Sequence, residues 1–206
     1  MQTLYIHPDN PQPRLIQQVA EALTQDKLVI YPTDTSYAFA CKIGSKQALN
    51  KLKQIRQLED KHQFALMCHD LSEIAKFATV SNQQYKILKA NTPNPITFIL
   101  AATKDLPKKL AHPKKKTIGI RVPSNPIAQA ILQQMGEPIL TSTLILPEHD
   151  TVLDDPFEIE ELLFNQADML VNAGIRTTKL TTIIDLSDSE AKLIRTGAIN
   201  PESIIF

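Results

Sequence analysis

Short apolar runs of strand length alternate along this 206-residue chain with segments of helical period, and that alternation restricts the fold more than any other feature. Residues 28–31, 64–68, 96–101, 117–122, 138–144, 169–172, 181–186 and 192–195 read as strands. Between them, Leu15, Ile16, Val19, Ala20 and Leu23 recur at helical spacing. Ala48, Leu49, Leu52 and Ile55 do the same behind Ser45, a good N-cap, and residues 72–78 and 83–90 read as further helical segments. Asn125 predicts another helix start, with Pro126 at the first position, Ile127, Ala128, Ile131, Leu132 and Met135 facing inward, and Gly136 as its stop. The expected fold is α/β, a single-domain twisted mixed sheet with flanking helices, and no repeat or linker divides the chain.

The run 28–31 leads into Pro32, which has no N–H to donate and stops the strand, and then into Thr33, Asp34, Thr35 and Ser36. Three hydroxyls and a carboxylate at a strand terminus have two readings. They are ligand-binding groups of the kind open α/β sheets present there, or turn residues bonding their own backbone.

Acids and bases number 22 each, so no whole-molecule field attracts nucleic acid or an anionic membrane. Locally the charges separate. Lys104, Lys108, Lys109, Lys114, Lys115 and Lys116 accompany a single acid, Asp105, while residues 148–161 hold Glu148, Asp150, Asp154, Asp155, Glu158, Glu160 and Glu161 and no base. The lysine run reads as a solvated loop or as a phosphate or RNA-backbone contact, without the interleaved aromatics of single-strand binders. The second helix carries Lys46, Lys51, Lys53 and Arg56 on its outer face, with Arg56 placed to reach past the helix end. Cys41 and Cys68 sit in apolar runs, as reduced buried thiols do. With no basic leader and no apolar run near ~20 residues, a cytoplasmic location is expected. His7, His62, His69, His112 and His149 lack paired spacing, so no metal centre is expected, and five unclustered glycines form no phosphate loop.

Pro32-Thr-Asp-Thr-Ser-Tyr37 after an apolar strand resembles the signature of the YrdC-like family. Members of that family make L-threonylcarbamoyl-adenylate and pyrophosphate from L-threonine, bicarbonate and ATP, for tRNA modification. The opening from Tyr5 to Arg14, the segment Ile55-Arg-Gln-Leu58 and the stretch from Lys116 to Ala130 resemble its YciO branch, so the likeness covers residues 1–206 as one YrdC-like (YrdC/RibB) domain. The resemblance implies a nucleotidyltransferase that takes ATP as substrate, with Mg²⁺ arriving on it, and L-threonine and bicarbonate as small-molecule partners. Relatives carry a Pro-Gly-Pro-like turn where this chain has residues 91–95, and Asn94 is the residue able to replace its glycine in the left-handed region.

Adenylate formation requires the carbamate oxygen to attack the α-phosphate in line as pyrophosphate leaves, so cations and hydrogen-bond donors must meet charge on the phosphoryl oxygens. The threonine carboxylate fits an Arg fork. Arg56, Arg121 and Arg195, each at the end of an expected helix or strand, are the candidates; for Arg121 and Arg195 the alternative is a surface ion pair. The resemblance assigns Arg56 a catalytic role, Thr33, Thr35, Tyr37, Arg121 and Thr181 to substrate binding, and Thr141, Thr143 and Arg195 to nucleotide binding. Two family motifs are altered. The Lys-x-Arg motif falls on Gln54-Ile-Arg56 and the Ser-x-Asn motif on Thr143-Leu-Ile145. Gln lacks the lysine charge and Ile the amide, and since one lost donor typically costs about 10²- to 10³-fold in rate, weak or altered activity is expected. The alternative is a non-catalytic protein that binds double-stranded RNA on the family's concave basic surface, through the Lys46 to Arg56 face, the lysine run and the same arginines.

Overall fold

The computed structural model describes residues 1–59, 61–147, 149–188 and 190–206. A mixed, twisted sheet runs in the order β1 (Gln2–Tyr5), β9 (Met169–Asn172), β2 (Val29–Pro32), β3 (Tyr37–Lys42), β8 (Ile139–Thr143), β4 (Ala65–Met67), β7 (Thr117–Arg121), β6 (Ile96–Ala102), β10 (Thr182–Asp185) and β11 (Lys192–Arg195), with β5 (Ala78–Thr79) added to β6. Around it lie α1 (Pro13–Thr24), α2 (Lys46–Arg56), α3 (Ile74–Phe77), α4 (Asn82–Asn91), α5 (Pro126–Met135) and α6 (Pro156–Leu163). The α/β expectation holds, and the expected strands and helices are present within a few residues of their bounds. β1, β3, β5 and α6 are additional.

The caps form as the sequence requires. Ser45 Oγ accepts from the Ala48 N–H at 3.2 Å, Asn125 Oδ1 accepts from the Ala128 N–H at 3.0 Å, and Gly136 ends α5 at φ 64°, a conformation costly for residues with a Cβ. Asn94 behaves otherwise than expected. Positive φ among the described non-glycine residues belongs to Asp26, Gln57 and Lys116, while Asn94 holds its turn by donating Nδ2 to the Asn91 carbonyl at 3.2 Å.

Alternation along the strands sorts their side chains into two layers. Val29, Tyr31, Ala38, Ala40, Met67, Ile139, Met169 and Val171 pack with Val19 and Leu23 of α1 and Ile131 and Leu132 of α5. Leu28, Ile30, Tyr37, Phe39, Leu66, Leu140 and Leu170 pack the other way, with Leu52 of α2, Leu88 of α4 and Ile159 of α6. Each fully buried Leu or Ile contributes roughly 1.5–3 kcal/mol, so both layers hold the sheet firmly. On the first face α1 and α5 cover only part of the sheet. On β6, β7 and β10 the residues of that face are Thr97, Ile99, Gly119, Arg121 and Ile183, and they line an open cavity instead of a helix.

The 33–36 elbow is a hairpin turn: β2 and β3 are antiparallel, with Pro32 opposite Tyr37. The Thr33 N–H and Oγ1 both donate to the Ser36 carbonyl, at 3.1 and 2.8 Å, and the Thr35 N–H donates to Thr33 Oγ1 at 3.2 Å. Of the two sequence readings, the self-bonded turn is the one these two threonines adopt. Among the described residues no helix is long and apolar enough to cross a membrane.

Candidate functional site

The cavity on the uncovered face has a volume of about 300 Å³, at the lower end of ligand-pocket sizes. A larger concavity of about 660 Å³ lies beside α4, but it is lined by Asp188 and Glu190 and no cation, so it suits no anion. The 300 Å³ cavity has the opposite charge. Arg56, Arg121 and Arg195, distant in sequence, all reach its wall, and no Asp or Glu among the described residues lines it.

Each arginine is held differently. Arg56 leaves the last turn of α2 and donates Nε to the Ile145 carbonyl at 3.2 Å and Nη1 to Ser142 Oγ at 2.5 Å. Burial lowers it to about 10, which still leaves it charged at neutral pH. Arg195 ends the edge strand β11 and donates Nε to the Thr181 carbonyl at 3.0 Å and Nη2 to Thr181 Oγ1 at 2.9 Å; burial, and then the neighbouring Arg121 charge, lower its pKa. Arg121 ends β7, with its side chain only 7% exposed, and donates Nη2 to Asp34 Oδ2 at 3.0 Å. The sequence alternative of a surface ion pair fails here, because Arg121 is paired but buried. Its Nε is buried and has no hydrogen-bond partner among the described residues, a donor left unsatisfied beside the cavity.

Asp34 carries no family assignment, yet it organises this corner. Its carboxylate also accepts from Ser124 N–H at 2.8 Å, Ser124 Oγ at 3.1 Å and Asn125 N–H at 2.6 Å, at the entrance of α5. One of the three guanidinium charges is thereby offset, and the other two have no carboxylate partner among the described residues.

Of the residues assigned by sequence, Arg56, Arg121, Thr141, Thr143, Thr181 and Arg195 meet at the cavity. Thr33, Thr35 and Tyr37 do not line it. The two threonines are buried in the turn, and Tyr37 Oη donates to the Gly174 carbonyl at 2.8 Å, tying β3 to the loop after β9. Arg176 of that loop donates Nη2 to the Thr33 carbonyl at 3.1 Å, so the turn is clamped from outside. The altered motifs also separate: Ile145 lines the cavity, but Gln54 is exposed on α2, about 200° around the helix from Arg56, and is not in the wall. Nor does α2 present one basic face, since Lys51 Nζ bonds Asp168 Oδ1 at 2.6 Å and Arg56 turns into the cavity.

Sequence reasoning passed over His62, Gln63 and Ser142, which line the same wall. His62 was set aside for lack of metal-ligand spacing, and its place beside an arginine-lined cavity follows only from the fold. Burial, then Arg56, then Lys53, push it down to about 4, so it is neutral at pH 7. Burial pushes the Cys41 thiol up to about 12 and raises Cys68 as well, so both thiols stay protonated.

The family profile described as telomere recombination (Sua5, YciO, YrdC) matches residues 21–197. YciO of Escherichia coli K12 is 47% identical over 196 residues, covering 95% of both chains, and its crystal structure superposes with a TM-score of 0.95 over 99% of each. A putative threonylcarbamoyl-AMP synthase of Methanocaldococcus jannaschii is 28% identical over 189 residues, 90% of this chain and 87% of that one. The Sua5 of P. abyssi, crystallised with L-threonine, shares the fold at a TM-score of 0.90 with 18% identity; this chain is covered at 99% and the Sua5 chain at 60%. With the profile spanning most of its length and a relative of nearly half identity matching end to end, this chain belongs to the Sua5/YciO/YrdC family.

Proposed function

We propose that the chain joins L-threonine, bicarbonate and ATP into threonylcarbamoyl-AMP and pyrophosphate, with an active site altered from that of the synthases it resembles. The observation that carries this is the convergence of three guanidinium groups on one cavity with no acid in its wall among the described residues, two of them not offset by a described carboxylate. Such a site suits a substrate that is anionic at several atoms and becomes more so as pyrophosphate departs. In this reading the Arg121 guanidinium meets the amino-acid carboxylate, Arg56 meets the phosphoryl oxygens, and Arg195 with Thr141, Thr143 and Thr181 supplies donors along the nucleotide. Mg²⁺ enters on ATP and needs little from the protein. The threonine bound to P. abyssi Sua5 supports a small amino acid as one substrate. Incubation of the pure protein with the three substrates, followed by chromatography, tests it: threonylcarbamoyl-AMP and equimolar pyrophosphate are expected, and neither product at any enzyme concentration would overturn it.

A second reading, binding of double-stranded RNA, draws on Lys104, Lys108, Lys109, Lys114, Lys115 and Lys116, all exposed on the loop between β6 and β7. Duplex RNA affinity that falls steeply with salt is expected there, and no affinity at low salt removes this reading.

A further inference from the structure

Carbamate formation, the first step of the reaction proposed above, releases one proton, and among the described residues of the cavity wall one side chain is able to take it. L-threonine is an ammonium ion at neutral pH and must lose a proton before its nitrogen is a nucleophile. The amine then attacks the bicarbonate carbon. A C–N bond forms, a C–O bond breaks, and the departing hydroxide leaves as water with the second N–H proton, giving the carbamate. The later step, in which the carbamate oxygen displaces pyrophosphate from the α-phosphorus, moves no proton. Among the described residues lining the cavity there is no Asp, Glu, Lys, Cys or Tyr, and three arginines hold their protons. His62 remains.

Resting on the synthase reading, we propose that His62 is the proton acceptor that turns the L-threonine ammonium into the attacking amine. Its ring stands edge-on to Phe64, with centroids 4.9 Å apart and planes at 76°, which fixes the imidazole in the wall. No hydrogen bond joins either ring nitrogen to another described residue, and the residue lines the cavity. Burial first, and then the charges of Arg56 and Lys53, both of α2, keep the free ring neutral and able to accept. An anion seated against Arg56 offsets the charge that disfavours imidazolium, so the ring gains basicity when substrate is present.

The two directions of the reaction separate this role from a structural one. The forward reaction from L-threonine and bicarbonate requires the ammonium to be deprotonated. The reverse reaction of threonylcarbamoyl-AMP with pyrophosphate to give ATP does not. His62→Gln is expected to lower forward kcat about 10²- to 10⁴-fold, to lower the reverse rate far less, and to recover in the forward direction as pH rises and the amine deprotonates in solution. Equal losses in both directions at every pH, or no loss in either, would overturn the assignment of His62 while leaving the synthase reading standing. A wild-type protein that makes neither threonylcarbamoyl-AMP nor ATP would remove the synthase reading, and the role of His62 with it.

Discussion

Asp34→Asn is nearly isosteric, and it removes the carboxylate that holds Arg121. In the native chain that carboxylate accepts from Arg121 Nη2, the Ser124 N–H and Oγ, and the Asn125 N–H, with the Asp34 side chain 4% and that of Arg121 7% exposed. Asparagine can keep its oxygen toward Ser124 and Asn125, but its amide then meets the guanidinium donor to donor. Breaking a buried pair from one side typically costs about 3–5 kcal/mol, because the surviving charge is left uncompensated. Here the cavity lets Arg121 turn toward water, so the lower end, about 3 kcal/mol, is expected. At roughly 2–4 °C per kcal/mol for a chain of this size, the melting midpoint should fall by about 6–12 °C. Urea unfolding followed by circular dichroism, compared at a common m value, measures the free energy directly. Pyrophosphate should raise the midpoint of the variant more than that of the wild type, since Arg121 then lacks any other anion. A loss below about 0.5 kcal/mol, with no difference in the response to pyrophosphate, would refute the view that Asp34 offsets the Arg121 charge.

The two altered motif positions should behave differently. Gln54→Lys, on the exposed face of α2, should leave threonylcarbamoyl-AMP formation unchanged, whereas Ile145→Asn places an amide in the cavity wall and should raise kcat by up to about 10²-fold; an equal response from both would contradict their placement. Gly197→Ala forces a Cβ against the Leu180 carbonyl oxygen and the Thr181 carbonyl carbon, backbone that cannot rotate away. It should cost about 1–3 kcal/mol in denaturant melts and shift Arg195, which holds that same Thr181 carbonyl. Stability should also fall in acid through His62: the folded value of about 4 lies below the ordinary 6.5, so the unfolded chain binds the proton first. The contribution is whole above pH 6.5 and is lost as pH drops toward 4; in a pH series of melts His62→Gln should flatten that limb.

Elements whose own sequence carries a strong local signal were legible. The α5 helix is bounded by Asn125, Pro126 and Gly136, and β9 and β11 stand at the residues their apolar runs indicate. β1 escaped because only Leu4 of Gln2–Tyr5 is buried, and its partner β9 lies far along the chain. α6 was hidden by Glu158, Glu160 and Glu161, which outnumber its buried Ile159 and Leu163; Asp155, whose side chain accepts from the Phe157 N–H, and Pro156 at N1 were the available signal. At the site the three arginines were legible as types suited to an anion, and the fold confirms that they converge. The hydroxyls of Thr33 and Thr35 lie in the hairpin turn and outside the cavity wall for a physical reason: residues able to bind a ligand are equally able to satisfy a turn, and the turn lies closer.

The altered second motif is informative about what the site retains. Arg56 is anchored through the hydroxyl of Ser142 on β8 and through the backbone carbonyl of Ile145 just beyond that strand. A backbone acceptor does not depend on the side chain above it, so an isoleucine at 145 removes an amide from the wall without releasing the arginine. Gln54 likewise stands outside the wall, and its identity does not set the cavity charge. What distinguishes this cavity is then one apolar residue where a donor would stand, beside cations whose supports are intact. Binding of an anionic substrate should survive that exchange better than catalysis, because charge attraction acts over several ångströms while stabilisation of a transition state requires a donor at about 3 Å.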